Sequence, residues 1–110
     1  MKQKEIWYTD LNPSKGSEQA GFRPVVIISG NLVNQYLNIV ICCPLTSKIK
    51  DYKGNVVLIP NKQNNLKLKS EILTFQIRSL AKVRLKKKVG EISEKEFETL
   101  RLGLNDLLTY

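Results

Sequence analysis

The tightest constraint on this chain is a change of hydrophobic period near its end. From Glu5 to Leu85, β-branched and aromatic residues come in short runs cut by turn residues, whereas Phe97, Leu100, Leu104, Leu107 and Leu108 recur at helical spacing. The short runs predict strands over Glu5–Leu11, Pro24–Ser29, Asn38–Leu45, Val56–Pro60, Glu71–Ile77 and Leu80–Leu85. Asn12-Pro13 ends the first and Gly30-Asn31 breaks the second. Ser93-Glu94-Lys95-Glu96 reads as a capping box, the Ser hydroxyl accepting from the N3 amide while Glu96 reaches back. The helix that follows carries an apolar stripe that must pack on a sheet or a partner, and Gly103 weakens it modestly. The expected fold is mainly β: a small barrel or strongly bent sheet of about six short strands with a C-terminal amphipathic helix. With 110 residues, 42% of them hydrophobic, and no repeat or linker, one domain over residues 1–110 is expected.

Composition then narrows the chemistry. There is no histidine, which excludes Ser-His-Asp triads, paired-imidazole nucleases and His-rich zinc sites. The 10 acidic residues are scattered or lie on the terminal helix, so the convergent carboxylates of a metal-dependent nuclease are not expected, and neither is a cofactor. Cys42 and Cys43 are adjacent in an apolar run, where a disulfide between them would be strained, and they read as buried, inert thiols of a reducing compartment. No apolar stretch has the length of a signal peptide or a membrane span, so a soluble, cytoplasmic protein is expected. The balance of 18 Lys plus Arg against 10 Asp plus Glu leaves a net charge of +8. That field attracts polyanions, and nucleic acid is the leading partner class.

The loop from Asn12 to Phe22 is long for a hairpin and becomes the first candidate site. It holds Ser17, Glu18 and Gln19 on a glycine-containing scaffold and delivers Arg23 to a strand start, where Pro24 restricts the arginine backbone toward the extended region. Thr46 stands similarly at the end of the third strand. A planar cation and a hydroxyl at strand ends can meet at one rim of a small barrel and hold a phosphate.

Several segments together carry a resemblance: Trp7-Tyr8 through Asp10-Leu11-Asn12-Pro13, the run from Lys15 to Val26, Pro44-Leu45-Thr46-Ser47, Gln76-Ile77-Arg78-Ser79-Leu80 and Arg84-Leu85. In this order they resemble the MazF/PemK family of type II toxin–antitoxin toxins, nearly end to end. The resemblance implies an SH3-like barrel, a homodimer, a cognate MazE-like antitoxin that also brings DNA binding to the complex, and a ribosome-independent endoribonuclease (mRNA interferase) acting on single-stranded RNA. It places Arg23 and Thr46 in the catalytic positions, Ser17, Glu18 and Gln19 on the loop flanking the site and Gln76 near the RNA groove. On chemical grounds Glu18 is the candidate base, its alternative being to orient Arg23 or pair across the dimer, and Ser17, Gln19, Phe22, Lys48, Lys50 and Gln76 are expected against RNA. The chain departs from the family pattern at Phe75 and Ala81, where many relatives carry acids, so RNA contacts made by those acids do not transfer. Trp7, inside a strand, is expected in the core. Two other readings make no use of catalysis by Arg23: a gyrase-binding toxin of the same architecture, CcdB-like, and an RNA-binding module without activity. The ending Leu107-Leu108-Thr109-Tyr110 differs from the Trp-Gly-Ile terminus common among CcdB-like toxins.

Overall fold

A computed structural model describes residues 1–11 and 21–110. Among them seven strands appear: β1 (Glu5–Asp10), β2 (Phe22–Ile27), β3 (Ile39–Thr46), β4 (Val57–Leu58), β5 (Ser70–Ile72), β6 (Arg78–Ala81) and β7 (Leu85–Glu91). Two α-helices, α1 (Asn31–Tyr36) and α2 (Glu94–Thr109), and two 3₁₀ turns, Thr74–Gln76 and Lys82–Arg84, complete the described elements. The strands form one antiparallel sheet in the order β4-β5-β3-β2-β1-β7, with β6 also on β3. The expected mainly β architecture with a terminal helix is what forms, a bent half-barrel.

Strand β3 produces the bend. Its first half, Ile39 to Cys42, pairs with β6, while Leu45 and Thr46 at its far end pair with β5. Because side chains alternate across a strand, consecutive apolar residues serve two cores. Val26, Cys43 and Leu45 join Ile6, Ile72, Phe97 and Leu100 on one face; Val25, Ile27 and Cys42 join Leu11, Val40, Leu80 and Leu85 on the other. Trp7 is half-buried against the second core, and its indole N–H donates to Glu5 Oε1 at 2.9 Å.

Helix α2 begins with the expected capping box: Glu96 N donates to Ser93 Oγ at 3.1 Å and Ser93 N to Glu96 Oε1 at 2.8 Å. It buries Phe97, Leu100 and Gly103, but the apolar stripe does not continue into the core, since Leu107 is 48% and Leu108 90% exposed. Gly103 is there for close approach rather than by chance: a Cβ on it would stand 2.8 Å from the Gly54 carbonyl oxygen.

Other boundaries differ from expectation. The run Glu71–Ile77 is strand only through Ile72; Leu73 N still reaches Pro44 O at 2.9 Å, and the chain then turns through Thr74–Gln76, where Gln76 N bonds Leu73 O at 3.1 Å and Ile77 N bonds Thr74 O at 3.2 Å. Leu80–Leu85 is likewise split, β6 ending at Ala81 before a second turn. Val56–Pro60 shrinks to Val57–Leu58. Two elements were not legible in the sequence: α1, six residues with only Asn34 buried, and β7, whose Lys86, Lys87 and Lys88 hide its alternation. No helix among the described residues is long and apolar enough to cross a membrane.

Candidate functional site

The sheet register brings the two principal candidates together. Thr9 of β1 pairs with Arg23 of β2, and Val25 of β2 pairs with Pro44 of β3. The observed β2–β3 pairs end at Val25–Pro44, and continuing that register two residues past its end would set Arg23 across from Thr46, which itself pairs with Glu71 of β5. On that continuation one row runs Thr9, Arg23, Thr46, Glu71. Since residues in one row of an antiparallel sheet project to the same face, the guanidinium and the threonine hydroxyl start from adjacent bases.

Each member of the row is held differently. Arg23 is half-buried, its backbone fixed by the β1 ladder and followed by Pro24, which pairs with Tyr8. Thr46 is 7% exposed, and its Oγ1 accepts a hydrogen bond from the Lys48 backbone N–H at 3.1 Å. Thr9 is fully buried and donates its hydroxyl to the Arg84 carbonyl at 2.5 Å. Glu71 is also fully buried, yet ionised: burial by itself raises its pKa, but hydrogen bonds from the Lys50 amide, the Asn55 side chain and the Tyr52 and Asp51 amides hold it below the usual carboxylate value.

Beside this row lies a cleft of about 590 Å³. Tyr8, Phe22, Arg23 and Pro24 form one wall, Leu66, Lys67 and Leu68 another, and Lys87 and Lys88 of β7 a third. The described lining residues include four cations, Arg23, Lys67, Lys87 and Lys88, and no carboxylate. Phe22, 53% exposed, stacks on Tyr8 with ring centroids 5.8 Å apart at 16°. Lys88 is anchored by Glu5 at 3.1 Å, whose pKa, raised by burial, is brought below its ordinary value by hydrogen bonds from Trp7, the Lys2 amide and Lys88. Exposed rings and cations around a concave surface suit a polyanion with stackable bases.

The remaining candidates divide. Lys48 and Lys50 are exposed on the β3–β4 connection that leaves Thr46. Gln76, half-buried on the 3₁₀ turn between β5 and β6, lies across β3 from Arg23. Of the candidates in the described residues, the structure places Phe22 and Arg23 in the cleft wall; Thr46, Lys48 and Lys50 do not line it, the lining residues on either side of Thr46 being Leu45 and Ser47, and Gln76 stands on the turn between β5 and β6, at the other edge of β3. Ser17, Glu18 and Gln19 lie outside the described residues. Sequence reasoning missed Tyr8, Lys87, Lys88, Thr9 and Glu71 as site members; a pairing register was needed to find them. Among the described residues no three Cys, Asp or Glu side chains converge as metal ligands. Cys42 and Cys43 are buried and unbridged, with burial pushing both thiols up to about 12.

Fold and site together define a small, basic, half-barrel protein whose rim presents a guanidinium and a hydroxyl beside a cationic cleft. Residues 2–108 match the family described as PemK-like, MazF-like toxin of type II toxin–antitoxin system. The chain is 39% identical over 106 residues to Endoribonuclease MazF of Staphylococcus saprophyticus, covering 96% of this chain and 88% of that protein. The crystal structure of MazF from Deinococcus radiodurans superposes with a TM-score of 0.86 at 26% identity, covering 100% of this chain and 97% of that one. A MazE–MazF complex from the same organism matches at 24% identity with a TM-score of 0.78, covering 99% and 96%. The chain belongs to the PemK-like, MazF-like toxin family of type II toxin–antitoxin systems.

Proposed function

We propose that this protein cuts single-stranded RNA at short sequences without metal or ribosome, the 2′-hydroxyl attacking the adjacent phosphorus to leave a 2′,3′-cyclic phosphate and a 5′-hydroxyl. Its enzyme class, endoribonuclease, follows from family membership and from the similarity to the Staphylococcus enzyme. The observation that supports the reading is that Arg23 and Thr46 both lie two residues beyond the last β2–β3 pair, Val25–Pro44, and so leave the ladder at the same end.

In-line attack creates a phosphorane with more negative charge than the phosphodiester. A guanidinium keeps its charge at any working pH and offers two parallel N–H donors, so Arg23 stabilises the transition state more than the ground state. Because Thr46 Oγ1 already accepts from the Lys48 amide, its O–H proton turns toward a nonbridging phosphate oxygen and fixes the in-line geometry. Glu18 takes the 2′-hydroxyl proton as the 2′-O–P bond forms, the P–O5′ bond breaks, and the departing 5′-oxygen takes a proton from water; Ser17, Gln19 and Gln76 contact the RNA strand, Phe22 stacks a base, and Lys48 and Lys50 neutralise phosphates. The chain works as a homodimer in the cytoplasm and is held inactive by a MazE-like antitoxin, with which it binds DNA. The antitoxin partner is supported by relatives solved as MazE–MazF complexes and as a mycobacterial endoribonuclease with its cognate antitoxin.

The test is a long unstructured RNA incubated with protein in excess EDTA, with fragment ends mapped. Discrete cuts with cyclic-phosphate and 5′-hydroxyl ends, reduced at least about 10²-fold in Arg23→Ala and Thr46→Ala while RNA binding persists, are expected. Intact RNA, or cutting unchanged by both substitutions, refutes the reading.

A further inference from the structure

Glu71 is a fully buried carboxylate on β5, paired with Thr46. Among the described residues it makes no salt bridge. Oε1 accepts from the backbone N–H groups of Lys50 at 2.8 Å and Asp51 at 2.9 Å; Oε2 accepts from Tyr52 N at 2.8 Å and Asn55 Nδ2 at 3.1 Å. Three successive amides pointing at one anion form a backbone nest, and Asp51 sits at φ 55, the left-handed conformation that such a nest uses. The rest of the connection is tied to the same point. Asn55 accepts the Thr74 hydroxyl at 2.5 Å, and Tyr52 meets Phe75 edge-to-face with centroids 5.1 Å apart.

This connection leaves Thr46 and carries Lys48 and Lys50, and three of its successive amides converge on this one buried carboxylate. We propose that Glu71 is a positioning residue for RNA: its carboxylate organises the Lys50–Asn55 turn, which presents Lys50 to the phosphates beside Thr46 and fixes the segment from Thr46 that carries Lys48. The proposal rests on the ribonuclease reading for its substrate. It separates phosphate binding by Lys50 from chemistry, since Arg23 and Thr46 are held by the sheet ladder and Lys50 by the turn, while Lys48, between them, is tied through its amide to Thr46 Oγ1. Glutamine is the discriminating replacement, because an amide keeps the shape but turns an NH₂ donor toward two donors of the nest.

The test measures KM and kcat on an RNA oligonucleotide carrying a mapped cut site, at several salt concentrations, for wild type, Glu71→Gln and the Lys48→Gln/Lys50→Gln pair. Glu71→Gln is expected to raise KM at least fivefold with kcat within threefold. It is also expected to flatten the salt dependence by about 0.7 in log–log slope for each phosphate no longer neutralised, as the lysine pair does. A folded Glu71→Gln protein with KM within twofold of wild type, or with an unchanged salt slope, overturns the proposal. Amide exchange in the wild-type protein gives a readout that needs no variant: the Lys50, Asp51 and Tyr52 amides are expected to be protected at least 100-fold, and exchange at unfolded-chain rates overturns the anchoring. Wild-type protein that leaves RNA intact refutes the ribonuclease reading instead, while the exchange experiment still decides the turn.

Discussion

Substituting Gly90→Ala tests how the wall of the cleft is held. Gly90 pairs with Ile6 on β7, and an added Cβ would lie 2.6 Å from both the Asn64 carbonyl carbon and the Gln63 carbonyl oxygen, and closer still to the Asn64 oxygen. All three are backbone atoms, so no side chain can swing aside. Nor can the 61–65 turn yield internally, because Asn64 Oδ1 accepts from Asn61 N at 3.0 Å and Leu66 N at 3.0 Å, while its Nδ2 donates to Ile59 O at 2.9 Å. The turn must move as a unit. That strains or breaks the bonds from Glu91 N to Gln63 O at 3.1 Å and from Asn65 Nδ2 to Val89 O at 3.2 Å. Overpacking costs about 1–3 kcal/mol and each broken hydrogen bond about 1 kcal/mol, against about 0.4–1 kcal/mol recovered from a stiffer unfolded chain. The net loss is about 2–4 kcal/mol, a Tm decrease of roughly 10–20 °C in a domain of this size. Circular-dichroism melts with urea titrations at constant m-value measure it. A Tm change under about 3 °C, or a stabilised protein, refutes the steric argument.

Two further outcomes follow from the ionisable groups. Glu5 and Glu71 both have folded-state pKa values below the ordinary 4.5, so their stabilisation is complete above that pH and is lost as pH falls through the depressed values. Urea midpoints are expected to be flat from pH 7 to about 5 and to fall below it, with a shallower fall in Glu71→Gln; an identical acid profile refutes the assignment to Glu71. Cys42 and Cys43, with thiols pushed up to about 12, are expected to resist a disulfide reagent at pH 8 in the native state and to react together once unfolded. Rapid native labelling of either contradicts their burial.

Local patterns were enough for much of this protein. The alternating apolar runs, the turn residues and the Ser93–Glu96 box each act over a few residues, and β1, β2, β3 and the start of α2 appear where those patterns place them. Absence of histidine and the basic charge narrowed the chemistry before any fold was known, and the motif from Gly16 to Pro24 with Pro44-Leu45-Thr46 pointed to Arg23 and Thr46. What the patterns could not carry was partnership. Phe75 to Ile77 reads as strand by composition but turns, its amides at Gln76 and Ile77 bonding back to Leu73 and Thr74; β7 reads as a lysine run but pairs, because β1 offers it an edge. Leu107 and Leu108 keep helical spacing yet stay 48% and 90% exposed, Leu104 being the last residue of the stripe packed against the core.

The same division holds at the site. Sequence by itself determined which functional groups are available: one arginine before a proline, one threonine at a strand end, lysines in place of histidines. Only the tertiary structure decided that Thr9 pairs with Arg23 and Thr46 with Glu71, both just past the same end of the β2–β3 ladder, and that a buried glutamate accepts hydrogen bonds from the amides of the turn that begins at Lys50. The physical reason is that strand register is set by long-range hydrogen bonding and burial, where a slip of one residue turns every side chain to the other face.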